Sequence, residues 1–294
     1  MSSVPGPYAW ATVLTQSISA AVPAYTRGLR LAASPVMPLD RASANALGLL
    51  PLVDAPMVWL SRADGVAVLR LIENAALAPA AAMRHRGWMA LEMLVDDLDA
   101  MVAALPPGFT VLGPPRALEV SPAIHAAQVL GPSGELYYLT RVDAPVPPFA
   151  LPQSARDPFA LFIAVARCAD RSAELAAWRA IGALQSWQFD TRISVLNREL
   201  GEPLDRRWPV AVVQLAGNAL VEIDAIDRPV AADAANALRA GLWAVAIRAH
   251  RAPPQDWRLP SGARIEWLTP PASHDQEDCA GDVGPTNVSV QRAY

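Results

Sequence analysis

The chain has 294 residues, 53% of them hydrophobic and 18% charged, with a formal net charge of -4 and a pI near 5.6. That composition excludes general disorder, and the acidic balance leaves no global basic field for a nucleic acid to follow. No apolar run reaches the roughly 18 to 20 residues needed to span a bilayer, and MSSVPGPYAWATVLTQS lacks the basic and apolar regions of a signal peptide, so a cytoplasmic protein without a membrane partner is expected.

A first unit opens with Tyr8 to Thr15, which alternates as a half-buried strand does. Ser17 or Ser19 offers an N-cap for a helix through Ala20, Val22 and Tyr25, with Pro23 early in it. After Pro35 and Pro38 come Met57 to Leu60 and Val66 to Ile72, joined by Ala63-Asp-Gly65, a hairpin signal. The second unit is the clearest. Leu91 to Val95 is a strand, Asp96 or Asp97 caps a helix through Leu105, and Pro106-Pro107-Gly108 ends it. Strands at Phe109 to Leu112, Ala123 to Leu130 and Leu136 to Thr140 follow, the last two joined by Gly131-Pro-Ser-Gly134. The Pro-rich stretch from Val142 to Ala155 reads as a stiff linker.

The third unit repeats the plan with a strand from Phe159 to Ala166 and a capping sequence Asp170-Arg-Ser-Ala-Glu174. Its helix runs through Leu175, Trp178 and Ile181 to Gly182, followed by strands at Ser186 to Arg192, Pro209 to Leu215 and Ala219 to Ile223. Cys168 and Cys279 form neither a disulfide framework nor a metal spacing, and Cys168 reads as a reduced buried thiol. A second linker, Asp227 to Ala240, is polar. The fourth unit is truncated: Leu242 to Ile247 is a strand, Arg251 to Asp256 leaves no room for a full helix, and Pro260-Ser-Gly262 turns into Ala263 to Leu268.

The opening strands therefore recur at roughly 70 to 80 residues, the mark of an internal repeat. Each unit presents an apolar sheet face that it cannot bury alone. Pairing units one with two and three with four would give two similar lobes, residues 1–145 and 146–269, with a flexible tail at 270–294.

Ala90 to Asp99 (ALEMLVDDLD), Val129 to Leu139 (VLGPSGELYYL), Gly217 to Glu222 (GNALVE) and Pro260 to Glu266 (PSGARIE) carry a resemblance. With these four segments in series, the sequence resembles the vicinal oxygen chelate superfamily, also called the glyoxalase/bleomycin-resistance/extradiol-dioxygenase superfamily. The resemblance implies an α+β protein of four βαβββ modules paired into two open-barrel lobes. It also implies activities ranging over lyases, isomerases, dioxygenases and metal-free binding proteins. In metal-using members a His or Gln on a module's first strand and a Glu on its last hold a divalent ion. Those positions fall at Ala90 and Tyr138 in unit two, and near Trp10 and Leu69 in unit one. In unit three they fall at Leu161 or Phe162 with Val221 or Glu222, and in unit four at Trp243 or Ala244 with Glu266. No first strand offers a His, since the histidines are His85, His125, His250 and His274. Fe(II) and Zn(II) favour imidazole beside carboxylate, so no metal is expected; the alternative is Mg or Mn through Glu222 or Glu266.

Glu222 and Glu266 close strands with apolar neighbours, where desolvation would raise a carboxyl pKa and suit a general base. Glu92 shares a strand face with Ala90, and His125 and Tyr138 of the same unit could converge on it. Against these readings stand solvent-facing or Arg-paired acids (Arg264 for Glu266), a hydrogen-bonded structural His and a half-buried Tyr. Trp10, Trp243 and Gln128 are the substrate-binding candidates, the indoles suiting an aromatic or apolar molecule. Asp96, Asp97 and Asp99 read as helix-cap acids.

The leading expectation is a metal-independent enzyme performing lyase or isomerase-type proton transfer on a small, largely apolar or aromatic oxygenated substrate. The alternatives are a non-catalytic sequestering protein of the bleomycin-resistance type and a divalent-metal-dependent lyase or dioxygenase. All 24 basic residues are Arg, a bias typical of GC-rich bacterial genomes. A monomer or homodimer is expected, because four modules in one chain can supply both lobes.

Overall fold

A computed structural model describes residues 4–154, 159–228 and 238–270. The expected tail therefore lies almost wholly outside the described residues, as do Cys279, His274 and part of the second linker.

Unit one contains β1 (Tyr8–Thr15), α1 (Ile18–Gly28), the short β2 (Ala32–Ala33) and β3 (Met37–Pro38), α2 (Arg41–Ala46), β4 (Pro56–Ser61) and β5 (Ala67–Glu73). Ser17 caps α1, its side chain accepting from the Ala20 N–H. Pro23 lies inside α1 rather than in its first turn, so the helix forgoes one backbone bond there. Unit two contains β6 (Gly87–Leu94), α3 (Leu98–Ala103), β7 (Thr110–Leu118), β8 (Ser121–Leu130) and β9 (Leu136–Val142). Asp97 is the α3 cap, accepting from the Ala100 N–H. Unit three contains β10 (Leu161–Cys168), α4 (Arg171–Ala180), β11 (Ser186–Arg192), α5 (Ser194–Leu200), β12 (Arg207–Gln214) and β13 (Leu220–Ala225), and unit four β14 (Gly241–Arg248) and β15 (Arg264–Leu268). Asp170 caps α4 as its sequence suggests. No described helix is long and apolar enough to cross a membrane.

The strands form two curved sheets, one ordered β15-β14-β1-β5-β4-β2 with β3 on β4, the other β11-β12-β13-β10-β6-β9-β8-β7. In every unit the first strand pairs parallel with the last: β1 with β5, β6 with β9, β10 with β13 and β14 with β15. The first strands then meet across units, and antiparallel. β6 joins β10 with Leu91 opposite Ala164, and β1 joins β14 with Ala11 opposite Val245.

The sheets therefore unite unit two with unit three and unit one with unit four, not one with two and three with four. The division at 145/146 cuts across both sheets. Chain order carried no information on this point, because a first strand has one free edge and three sister strands of similar composition to pair with.

One face of each sheet contributes to a common apolar core. Val13, Leu69 and Val245 of the first sheet share it with Leu91, Ala164 and Val221 of the second and with Tyr25, Met101 and Trp178 of the helices. Hydrogen bonds cross the same seam, from the Tyr8 hydroxyl to the Leu220 carbonyl at 2.8 Å and from Trp88 Nε1 to the Arg264 carbonyl at 2.6 Å. The opposite faces are concave, and the candidate chemistry lies there.

Candidate active site in the sheet of units two and three

Strand alternation decides which side chains enter the concave face. On β6, Ala90 and Leu94 belong to the concave apolar cluster while Leu91 and Met93 belong to the common core, so Glu92 points into the concavity. The same rule turns Leu220, Glu222 and Asp224 of β13 inward, against Val221 and Ile223 facing the common core. Tyr138 and Thr140 enter from β9, where Tyr138 is the register partner of Glu92.

These residues meet in a pocket of about 60 Å³ lined by Glu92, Thr140 and Glu222 with apolar walls that include Phe162, Phe149 and Phe189. Thr140 Oγ1 donates to Glu92 Oε2 at 3.0 Å. Burial raises the Glu92 pKa, the neighbouring Glu222 charge raises it further, and the Thr140 bond opposes both. Burial also raises Glu222, with Asp224 acting as the hydrogen-bonding partner that moderates the rise. Asp224 is fully buried, and neither of its oxygens meets full hydrogen-bond geometry with any described group. Its pKa lies well above the ordinary range through burial and then the charges of Glu222 and Glu92. The Tyr138 phenol is raised by burial and then by Asp224, Glu222 and Glu92, so the three acids and the phenol share one environment.

His125 does not join them. It alternates onto the other face of β8 with Ala127 and Val129, where Nδ1 lies 3.5 Å from Asp143. The convergence expected of Glu92, His125 and Tyr138 is therefore half met. Gln128 is buried beside Tyr138 in the register and lies against Gly113, where any Cβ would collide with its amide oxygen.

Glu266 lies in the other sheet, where Arg70, rather than the nearby Arg264, takes its carboxylate: Nη2 reaches Oε2 at 2.5 Å. The register sets Arg70, not Leu69, beside Thr12, whose hydroxyl accepts from Arg70 Nε at 3.1 Å and from Nη2 at 2.8 Å. Trp10 Nε1 donates to the same Glu266 oxygen at 3.2 Å, and the guanidinium lies 5.8 Å from the Trp10 ring and 5.2 Å from the Trp59 ring. Trp10 thus holds an ion pair, and Trp243 is core, donating to the Leu47 carbonyl at 3.0 Å beneath Arg264.

The sequence reading missed Asp224, Thr140 and Arg70. Asp224 and Arg70 were accessible to the two-residue period, since each stands two positions from a residue already assigned to a concave face or among apolar alternates.

Among the described residues no three His, Cys, Asp or Glu side chains are grouped so as to hold a metal ion. Among the described residues no imidazole stands beside Glu92 or Glu222, and Arg70 occupies the carboxylate of Glu266. These donor sets do not fit Fe(II) or Zn(II), which favour imidazole beside carboxylate. A larger open cleft of about 500 Å³ lies elsewhere, between Arg62 and Asp64 of the β4–β5 turn and Asp96 and Asp97 at the start of α3. Two of its three acids are committed locally, Asp64 to Arg62 and Asp97 to the Ala100 N–H.

No protein-family model matches the sequence, and no curated protein matches it. Solved structures do. Glyoxalase I from Zea mays superposes with a TM-score of 0.52 at 14% identity, over 83% of this chain and 74% of that one. A provisionally named dioxygenase from Bacillus subtilis gives 0.53 at 9% identity, over 85% and 71%. At such identities the likeness establishes the fold. The chain has the vicinal oxygen chelate architecture of paired modules in curved sheets.

Proposed function

We propose that this chain, with the vicinal oxygen chelate fold as its scaffold, is an enzyme that moves protons on a small, largely apolar oxygenated molecule. Glu92 and Glu222 serve as its acid–base pair. One observation carries the reading: two carboxyls from different modules line the same apolar pocket, and burial holds both in a range where they exchange protons near neutrality.

The roles follow from the neighbours. Glu92 is destabilised as an anion by the Glu222 charge, so it holds the proton. Glu222 has Asp224 to support its ionised form, so it is the base. With a substrate carbonyl at Glu92, Glu222 takes a proton from the adjacent carbon while Glu92 gives its proton to the carbonyl oxygen. On an α-hydroxy carbonyl this gives an enediol; Glu222 then returns its proton to the former carbonyl carbon while Glu92 recovers a proton from the other hydroxyl, which moves the carbonyl by one carbon and leaves the enzyme unchanged. Pairs of titratable groups with separated proton affinities do this work in known acid–base sites. Glu266 is left outside the chemistry by its bond to Arg70.

The test is exchange of carbon-bound hydrogen in D2O, followed by proton NMR over small aromatic and aliphatic ketones and hydroxyaldehydes. Glu92→Gln and Glu222→Gln are each expected to slow exchange by about 100-fold or more, the usual scale of general acid–base assistance. Retention of a ketone with no exchange in the wild-type protein would count against catalysis and for sequestration.

A further inference from the structure

Charge in the pocket is one-sided. Among the described residues the only charged ones on its wall are Glu92 and Glu222, with no Arg or His beside them, and Asp224 lies behind, fully buried. Across the described elements packed around the acids, the titratable and charged groups are Glu92 on β6, Tyr138 on β9, Glu222 and Asp224 on β13, Arg116 on β7 and Arg167 on β10. Arg167 is the register partner of Asp224 but donates Nη1 to the Met83 carbonyl at 2.5 Å and Nη2 to the Arg228 carbonyl at 2.9 Å, and it does not line the pocket. Arg116 acts on Tyr138 and is exposed, with a hydrogen bond to Ser194 Oγ at 3.3 Å.

The consequence is a strong preference over ligand charge. An anionic ligand, whether carboxylate or phosphate, would place its charge against acids that already repel one another, with no guanidinium or backbone cradle to offset it. A neutral ligand leaves the acids as they are. A cation supplies what three clustered acids lack, because an ammonium within hydrogen-bond reach favours the ionised carboxylate and releases its proton to solvent. The apolar part of such a ligand meets Phe162, and the half-buried Phe149, Phe189 and Leu151 at the mouth. The free space of about 60 Å³ accepts an aminomethyl group and the near edge of a ring, with the remainder against that rim.

We infer that the pocket recognises small apolar amines: a ligand whose protonated nitrogen lies between Glu92 and Glu222 and whose hydrocarbon body contacts the phenylalanine-lined mouth. This rests on Glu92 and Glu222 being the working acids of the site, and it names the substrate class for them.

The test uses the full chain and three probes of nearly equal shape, benzylamine, benzyl alcohol and benzoate, by isothermal titration at pH 6.5 in two buffers of different ionisation enthalpy. Benzylamine should bind on the order of tenfold tighter than benzyl alcohol, with benzoate weakest, and the two buffers should reveal proton release for the amine alone. Glu92→Gln and Glu222→Gln should each remove most of the preference for the amine over benzyl alcohol, with unchanged circular dichroism and a single unfolding transition showing that the variants fold. Benzyl alcohol or benzoate binding as well as benzylamine, or amine binding without proton release, overturns the inference. A carboxyl pH titration of the same samples separates the two failures. Acids that still titrate near neutrality while the amine is ignored leave the acid–base pair standing and remove only the ligand class.

Discussion

At the scale of single residues, the two concave faces have solved the same problem in opposite ways. Both carry acids where water is excluded. In the sheet of units one and four, Glu266 is neutralised by Arg70, whose own side chain is almost wholly buried and tied to Thr12. In the sheet of units two and three the buried Arg167 gives its Nη atoms to the Met83 and Arg228 carbonyls, and burial raises the proton affinity of Glu92 and Asp224 instead. Breaking the first arrangement should therefore be costly and asymmetric. Arg70→Met strands Glu266 and is expected to lower stability by about 3 kcal/mol, whereas Arg70→Met with Glu266→Leu together should recover most of it, because a buried pair matters less for its net attraction than for what its loss leaves unpaired. Urea unfolding of the wild-type protein and the two variants decides this; equal losses for the single and the double variant would show that Glu266 reaches solvent. Legibility at this scale was uneven. Glu92 could be placed from strand alternation, whereas Tyr138 and Glu222 came from the resemblance, Glu222 with Val221 as the alternative. The partners could not, because which acid receives an Arg depends on strands nearly 200 residues apart in sequence, as Arg70 and Glu266 are.

At the scale of elements, the joints between units are polar and buried. Glu135, in the turn between β8 and β9, accepts from the Ser133 N–H at 3.0 Å and from the hydroxyl of Tyr25, which fastens α1 of unit one onto unit two. Gly131 makes the turn possible, since a Cβ there would collide with the folded-back Glu135 carboxyl. Burial pushes Glu135 up to about 7 against an ordinary 4.5. A raised carboxyl binds its proton more tightly folded than unfolded. Its contribution to stability is complete below about 4.5 and declines as pH rises through about 7. Glu135→Gln should flatten that part of the stability–pH curve, measured by chemical denaturation from pH 5 to 8; an unchanged slope would contradict the assignment. A second joint links α4 to unit four, where Glu174 accepts from the Ser261 N–H at 2.8 Å and from its hydroxyl at 2.7 Å. Ser261→Ala should cost about 1.5 to 3 kcal/mol, the range for hydrogen bonds to a charged group. The Pro260-Ser-Gly262 turn was legible from its residue types, but its anchor was not. Glu174 read from sequence as an ordinary first-turn acid.

For the whole molecule, the repeat was legible and its pairing was not. Each unit's strands, caps and turns could be read from local pattern because propensity and alternation are local. The union of unit one with unit four is a matter of which free edge meets which, and sister units offer near-identical edges. The consequence is testable by cutting the chain. Residues 1–145 hold β1 to β5 of one sheet and β6 to β9 of the other, and 146–270 hold β14 and β15 of the first and β10 to β13 of the second, so neither fragment should unfold cooperatively by itself, while a one-to-one mixture should regain a single transition. A fragment that folds alone would contradict the nested arrangement.

The central claim concerns the proton shared by Glu92 and Glu222, and it can be read directly from the pH titration of their carboxyl carbons by 13C NMR, using glutamate-labelled protein with Glu92→Gln and Glu222→Gln for assignment. Both carboxyls should titrate well above the ordinary carboxylate range, in two coupled steps, and Glu222→Gln should lower the apparent pKa of Glu92. If both instead titrate near the ordinary 4.5 and independently, the pocket holds two solvated carboxylates and the acid–base account is wrong.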